Sequence, residues 1–288
     1  MLPEWIIPTI RSIGLQEHDA RPLAMVRRDN HILWAQSRAP QHPLHSALFR
    51  LISGIYQSDP EAARSWVRQR IFTLESPSSA TEMTVKVAAK RMTWIEGLPA
   101  IASSSDHGIH VPHLIATEVG ELAPPPSLAL PKHALPHSEA IHLCSSWTEG
   151  AHVAPSSPRH LRNRAIACVL LDARGVPLAG GTNQASNNPC RHAEIEMLRA
   201  RHSQGRGPIP RGATVITTLK PCRMCAAMIW ESCEDRASIR VIYRDFDPGT
   251  NGRATLLDKD SPDRRRYARN AEERDLSIQF KFALDSRL

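Results

Sequence analysis

The sequence predicts an α/β fold in its second half: a five-stranded mixed sheet packed by helices. Three observations predict it. From residue 138 onward, short apolar runs rich in Val, Ile and Leu alternate with stretches of helical periodicity. Gly- and Asp-containing turns punctuate the runs. A charged helical stretch separates the last two strand-like runs, which gives them the long crossover that parallel neighbours need.

In chain order, residues 138–151 suit a first helix with Ser138 as N-cap. Residues 165–171 form an apolar strand, Asp172-Ala-Arg-Gly175 a hairpin turn, and residues 176–181 the returning strand. A helix is expected over 190–202, with Ile195, Leu198 and Ala200 among its apolar positions. Gly212 precedes a strand over 213–219, and a helix over 222–233 leads to a strand over 239–243. A charged helix over 262–274 and an alternating fifth strand over 276–282 complete the set. Upstream, Pro124 to Pro131 and Pro136 break any regular element, so 124–136 reads as a semi-rigid linker between domains at 1–123 and 137–288.

Composition narrows the class. The chain has 288 residues, 41% hydrophobic and 23% charged, which excludes a disordered tail, a collagen-like rod and a disulfide miniprotein. No apolar run reaches the roughly 20 residues that cross a bilayer, and the first residues lack a basic segment with a cleavage site. The expected location is therefore the cytoplasm, with no membrane partner. Of the net charge of +7, residues 136–288 carry +6. An excess of that size suits a polyanion-binding face or an ordinary solvated one.

All six cysteines (144, 168, 190, 222, 225 and 233) lie in the second half. In a reducing compartment the close pair Cys222/Cys225 reads as metal-binding rather than disulfide-forming. Upstream stands His192-Ala-Glu194, with 27 residues between Glu194 and Cys222. One imidazole and two thiolates suit tetrahedral zinc with a fourth, open position, the mark of a catalytic rather than a structural site. Cys222 and Cys225 are spaced i and i+3 at a helix start, where the positive end of the helix favours thiolates. Glu194 fits a proton carrier beside the metal. Cys190 reads as a packing residue, and Cys144, Cys168 and Cys233 as buried small apolar residues.

His192-Ala-Glu194 followed by Pro221-Cys-Arg-Met-Cys225 resembles the cytidine/deoxycytidylate deaminase superfamily, whose signature is H-x-E followed by P-C-x-x-C. The resemblance spans residues 137–283 and implies a three-layer cytidine-deaminase-like fold. It implies one zinc ion on His192, Cys222 and Cys225, with Glu194 moving protons from water to the ring and then to the departing amine. It also implies that Asn183 contacts the nucleoside and that the Ala193 and Cys222 backbones meet the base edge. Thr218-Leu-Lys-Pro-Cys-Arg-Met-Cys-Ala226 is similar to the tRNA adenosine deaminase form T-L-E-P-C-x-M-C-A, with Lys220 in place of the acid.

The first half reads as a degenerate copy or as an unrelated α/β domain. Residues 23–35 repeat the strand–turn–strand, Pro43-Leu-His45-Ser-Ala47 occupies the place of the His-Ala-Glu segment, and residues 72–83 shadow 217–228. In that alignment His45 is kept, Ala47 replaces the acid, and Ser78 and Thr81 replace the thiolates, so no catalytic metal is expected there. Such a copy would form an intramolecular pseudo-dimer, as double-domain polynucleotide deaminases and the paired subunits of the eukaryotic tRNA adenosine deaminase do. The expected reaction is deamination of a base in single-stranded or looped RNA or DNA, adenosine in RNA ahead of cytosine. Arg264, Arg265, Arg266, Tyr267 and Arg269 suit phosphate contact and stacking, or else a solvated helix face. A deaminase of a free base, nucleoside or nucleotide, and a zinc-stabilised binding module, are the alternatives; Glu194 speaks against the module.

Overall fold

The structure is a computed structural model that describes residues 3–13, 22–39, 42–96, 114–149, 164–247, 249–253 and 255–257. It divides into two compact units, Met1–Leu122 and Ala123–Leu288. Among the described residues no helix is long and apolar enough to cross a membrane.

The first unit runs α1 (Ile6–Ser12), β1 (Leu23–Arg28), β2 (His31–Gln36), α2 (Ala47–Ser58), α3 (Pro60–Trp66), β3 (Arg70–Thr73), α4 (Ser79–Ala88), β4 (Arg91–Trp94) and β5 (Ile115–Glu118). Its sheet order is β4-β3-β1-β2-β5, with β1 antiparallel to both β2 and β3, β3 parallel to β4, and β2 parallel to β5. Asp29, at φ +55, makes the tight turn of the β1–β2 hairpin. Ile6 and Ile10 of α1 pack on Leu23, Met25, Ile32 and Phe72 of the sheet.

The second unit runs α5 (His137–Ser146), β6 (Ala167–Leu171), β7 (Pro177–Thr182), α6 (Ala193–Ser203), β8 (Thr214–Leu219), α7 (Arg223–Glu231) and β9 (Arg240–Asp245). Its order is β7-β6-β8-β9, with β6 antiparallel to both β7 and β8 and β8 parallel to β9. The class is α/β, as the sequence predicts. Every residue of β6 is buried, as befits a strand covered on both faces. One face, Ala167, Val169 and Leu171, packs with Ile216 against Ile141 and Cys144 of α5. The β6–β7 turn forms because Asp172 Oδ1 accepts from the backbone N–H groups of Arg174 (2.8 Å) and Val176 (2.9 Å), while Gly175 takes φ +86.

Several boundaries move from their sequence expectation. Ser138 does not cap α5: Pro136 is the N-cap, without a side-chain bond, and the helix ends at Ser146 rather than 151. α6 begins at Ala193 rather than 190, because Pro189 and the turn around it hold residues 188–191 out of the helix. Residues 124–136 are not a bare spacer. Leu130 and Leu135 join the core under α5, and the Leu135 N–H donates to the Gly175 carbonyl at 2.9 Å. The leucines between the prolines supply apolar area that burial rewards, at about 1.5–3 kcal/mol each when fully covered. The helix expected over 262–274 and the fifth strand over 276–282 lie outside the described residues; four strands of the second unit's sheet are described.

The two units share one path. A helix is followed by an antiparallel hairpin, a helix, a strand on the far side of the first hairpin strand, a helix, and a strand parallel to the last. α3 and β5 are the first unit's additions among the described residues. Paired by helix N-caps, the two units differ from the pairing expected from sequence by one residue. His192 is the N-cap of α6 and Ser46 the N-cap of α2, so Ser46, not His45, stands at the place of His192, and Leu48 at that of Glu194. Ser78 and Cys222 are both N-caps, of α4 and α7, with Thr81 and Cys225 three residues on.

Candidate metal centre

Two helix starts converge at one end of the second unit's sheet. β7, β8 and β9 finish there and β6 begins there, because β6 runs antiparallel to β7 and β8. α6 follows β7 and α7 follows β8, so both helices present their N-terminal ends at that edge. His192 (φ −70, ψ 158) and Cys222 (φ −70, ψ 172) are extended N-cap residues that make no side-chain capping bond. Neither side chain is spent on its own helix, so both are available to each other.

His192 Nδ1 lies 3.4 Å from Cys222 Sγ and 3.4 Å from Cys225 Sγ, and the two sulfurs are 3.5 Å apart. Cys222 and Cys225 are buried and His192 is half-buried. Metal–sulfur bonds of about 2.3 Å and metal–nitrogen bonds of about 2.0–2.1 Å at tetrahedral angles place ligand atoms roughly 3.5–3.8 Å apart. The observed triangle matches that spacing to within a few tenths of an ångström. Its one nitrogen and two sulfurs are the donors zinc favours, so the residues fit the ion. Among the described residues no further His, Cys, Asp or Glu completes this group of three.

As protein groups alone the three share charge. The hydrogen bond between the Cys222 and Cys225 sulfurs, joined by the charge of His192, holds Cys222 well below the usual thiol range against the effect of burial. Burial, and then the adjoining Cys222 sulfur, push Cys225 up. Burial disfavours the charged form of His192, but Cys222, Glu194 and Asp247 outweigh it and raise the ring to about 9. Burial and Cys222 push Glu194 up to about 7, against the pull of His192. Glu194 is 4% exposed and its carboxyl is hydrogen-bonded with Cys225, which puts an acid directly beside the donor triangle.

The approach of α6 to the sheet is set by glycine. A Cβ on Gly181 would sit 2.2 Å from the Ala193 carbonyl oxygen and 2.4 Å from the Met197 nitrogen, so only glycine in β7 lets α6 lie this close. Ala193 is thus buried between helix and strand. Asn183, just past β7, is nearly buried; its N–H donates to the Ile166 carbonyl at 2.9 Å and its amide nitrogen to the Arg164 carbonyl at 3.1 Å. It therefore sits at the same sheet end as the triangle. Cys190 is fully buried and outside the donor group; Cys144 and Cys168 are buried, and Cys233 is only partly so. Arg264, Arg265, Arg266, Tyr267 and Arg269 lie outside the described residues.

The sequence reading missed two features. Asp247, in the loop after β9, pairs with Arg164 at 3.0 Å and acts electrostatically on His192. Glu196 is fully buried between Arg191 and Arg199. A second acid two residues after Glu194 was the available signal for Glu196; Asp247 carried none.

Comparison with known proteins bears on the same segment. Residues 157–268 match the Bd3614-like deaminase family. A tRNA-specific adenosine deaminase from Agrobacterium fabrum (strain C58 / ATCC 33970) is 39% identical over 64 residues, which are 22% of this chain and 41% of that protein. The matched stretch is therefore well under half of the relative's length. Among solved structures, one from a study of A-to-I editing by tRNA:A34 deaminases at the wobble position is similar at 30% identity and TM-score 0.31, over 38% of this chain and 78% of its own. The dCMP deaminase of cyanophage S-TIM5 is similar at 19% identity and TM-score 0.28, over 40% of this chain and 85% of its own. The family match covers His192, Glu194, Cys222 and Cys225, so the likeness to the deaminase superfamily read from them holds over residues 157–268.

Proposed function

Starting from the match of residues 157–268 to the Bd3614-like deaminases, we propose that this chain is a zinc-dependent hydrolytic deaminase of a nucleobase held in single-stranded or looped nucleic acid, adenosine ahead of cytosine. The observation that carries the reading is the His192–Cys222–Cys225 triangle with the buried Glu194 carboxyl against it. His192 Nδ1 and the two Sγ atoms would hold the ion, which when bound supplies the Lewis acidity that brings the pKa of water toward neutrality. Glu194 takes a proton from the attacking water and delivers it to the ring nitrogen, N1 of adenine or N3 of cytosine. It then carries the second water proton to the amine, so that ammonia leaves and a carbonyl replaces the amino group. Asn183 and the Ala193 backbone stand at the same sheet end to meet the nucleoside. The burial of Glu194 limits exchange of its proton with bulk solvent.

The tRNA-specific relative and the form of the Cys222/Cys225 segment favour a nucleic-acid substrate. The dCMP deaminase likeness keeps a free nucleotide as the second reading. The first unit is proposed as a metal-free copy, because hydroxyls occupy all three ligand places and are engaged in capping. Ser46 Oγ accepts from the Phe49 N–H at 3.1 Å, and Ser78 and Thr81 form a reciprocal capping box. The test incubates the full chain and its Glu194→Ala variant with mixed RNA and DNA oligonucleotides and with free nucleotides, reading ammonia and the sequence changes A-to-G and C-to-T. Turnover by the native chain that Glu194→Ala abolishes supports the reading. Equal turnover by both removes Glu194 from the chemistry, and turnover of free nucleotides alone selects the second reading.

A further inference from the structure

Glu196 has a fully buried side chain between two guanidinium groups, an arrangement the proposed reaction does not use. Arg191 Nε donates to Glu196 Oε1 at 3.1 Å and Arg191 Nη2 to Oε2 at 3.0 Å, a bidentate pair. Arg199 Nη1 donates to Oε1 at 2.7 Å, and its Nη2 reaches the Ala123 carbonyl. The arginine side chains are only 14% and 12% exposed. Replacing a buried ion triad with apolar groups is often neutral or stabilising, so fold stability alone is a poor reason for one. A cation immediately before a helix is also disfavoured by the helix dipole. Arg191 nevertheless stands there, next to His192.

What the clamp does control is the peptide that carries His192. Arg191 donates its N–H to the Asn188 carbonyl at 3.0 Å and accepts from the Gln184 N–H at 2.8 Å. Its side chain is locked by Glu196, whose own N–H donates to the His192 carbonyl at 2.9 Å. His192 therefore sits between a residue and a carboxylate that grip each other, and its ring makes no capping bond that would orient it otherwise. We infer that Glu196 is a positioning residue: through Arg191 it fixes the N-cap geometry that aims His192 Nδ1 at the two sulfurs. This inference rests on the proposed metal site and adds a supporting shell to it.

The test uses the full chain with Arg191→Met, Glu196→Gln and the double variant. It measures zinc affinity by chelator competition, the absorption spectrum of the cobalt(II)-loaded protein, and urea unfolding of the metal-stripped protein. Arg191→Met leaves Glu196 paired with Arg199, so no buried carboxylate is stranded and the chain should still fold. Each single variant is expected to weaken zinc binding about 10- to 100-fold, the usual effect of losing a partner that orients a ligand. Each should also shift the cobalt spectrum, and the double variant should be no weaker than either single one. Arg191→Lys should recover part of the loss. Zinc affinity within twofold of native in both single variants, with only the unfolding curve altered, overturns the inference. So do losses that multiply in the double variant. Failure of the native chain to bind zinc refutes the metal site itself, a separate result from native binding that the variants leave unchanged.

Discussion

His192, Cys222 and Glu194 are placed by local backbone rules before any tertiary argument is needed. N-cap positions ordinarily hold Ser, Thr, Asp or Asn, whose oxygens satisfy the first helical N–H groups. The second unit places imidazole and thiol there instead, forgoing a capping bond at both helices, whereas the first unit keeps serines. Changing Cys225 or His192 to alanine is expected to abolish stoichiometric zinc, measured by metal analysis of the purified chain. Glu194→Ala is expected to retain zinc and to lose at least about 10²–10⁴-fold in turnover, the range typical of a general acid–base residue. The spacing of these four residues was legible in the sequence because ligand chemistry restricts residue type. Asp247 was not, since a loop acid 22 positions beyond Cys225 shows its proximity to His192 only after β8 and β9 pair.

Helix α6 and strand β7 form the element-scale device, joined where Gly181 faces the first turn of the helix. Both atoms that a Cβ would strike are backbone, so relief requires moving the helix rather than turning a side chain. Gly181→Ala is expected to destabilise the chain by about 1–3 kcal/mol, as overpacking does, and to weaken zinc binding by displacing His192. Denaturant unfolding and chelator competition check the two effects. In the first unit, Ser78→Ala removes half of a capping box and is expected to cost about 1 kcal/mol in α4 stability while leaving zinc content unchanged. Strands and helices of the second unit were legible from apolar runs and turns. Their ends were not: Ser138 is an acceptable cap by residue type, yet the chain enters α5 from Pro136 with Leu135 already anchored in the core.

Among the described residues, the two units share an order of helices and strands apart from α3 and β5, and the caps of α6 and α7 carry the imidazole and thiol of the metal triangle, whereas those of α2 and α4 carry serines. Within the expected pairing of residues 72–83 with 217–228, Ser78 and Cys222 are both helix N-caps, whereas upstream the N-cap is Ser46 and not the expected His45, a distinction visible only in the backbone. Six of the seven net positive charges belong to residues 136–288. If phosphates are contacted, oligonucleotide affinity should fall steeply between about 50 and 200 mM salt, by 10³-fold or more for six or more contacts. A salt-independent affinity would favour the free-nucleotide reading.

X-ray absorption at the zinc edge of the full, native chain reads the site most directly. One zinc per chain with two sulfur neighbours near about 2.3 Å and nitrogen or oxygen neighbours near about 2.0–2.1 Å is the expected result. No bound zinc, a shell of four protein sulfur and nitrogen ligands with no place for solvent, or a second equivalent of zinc in the first unit would contradict it.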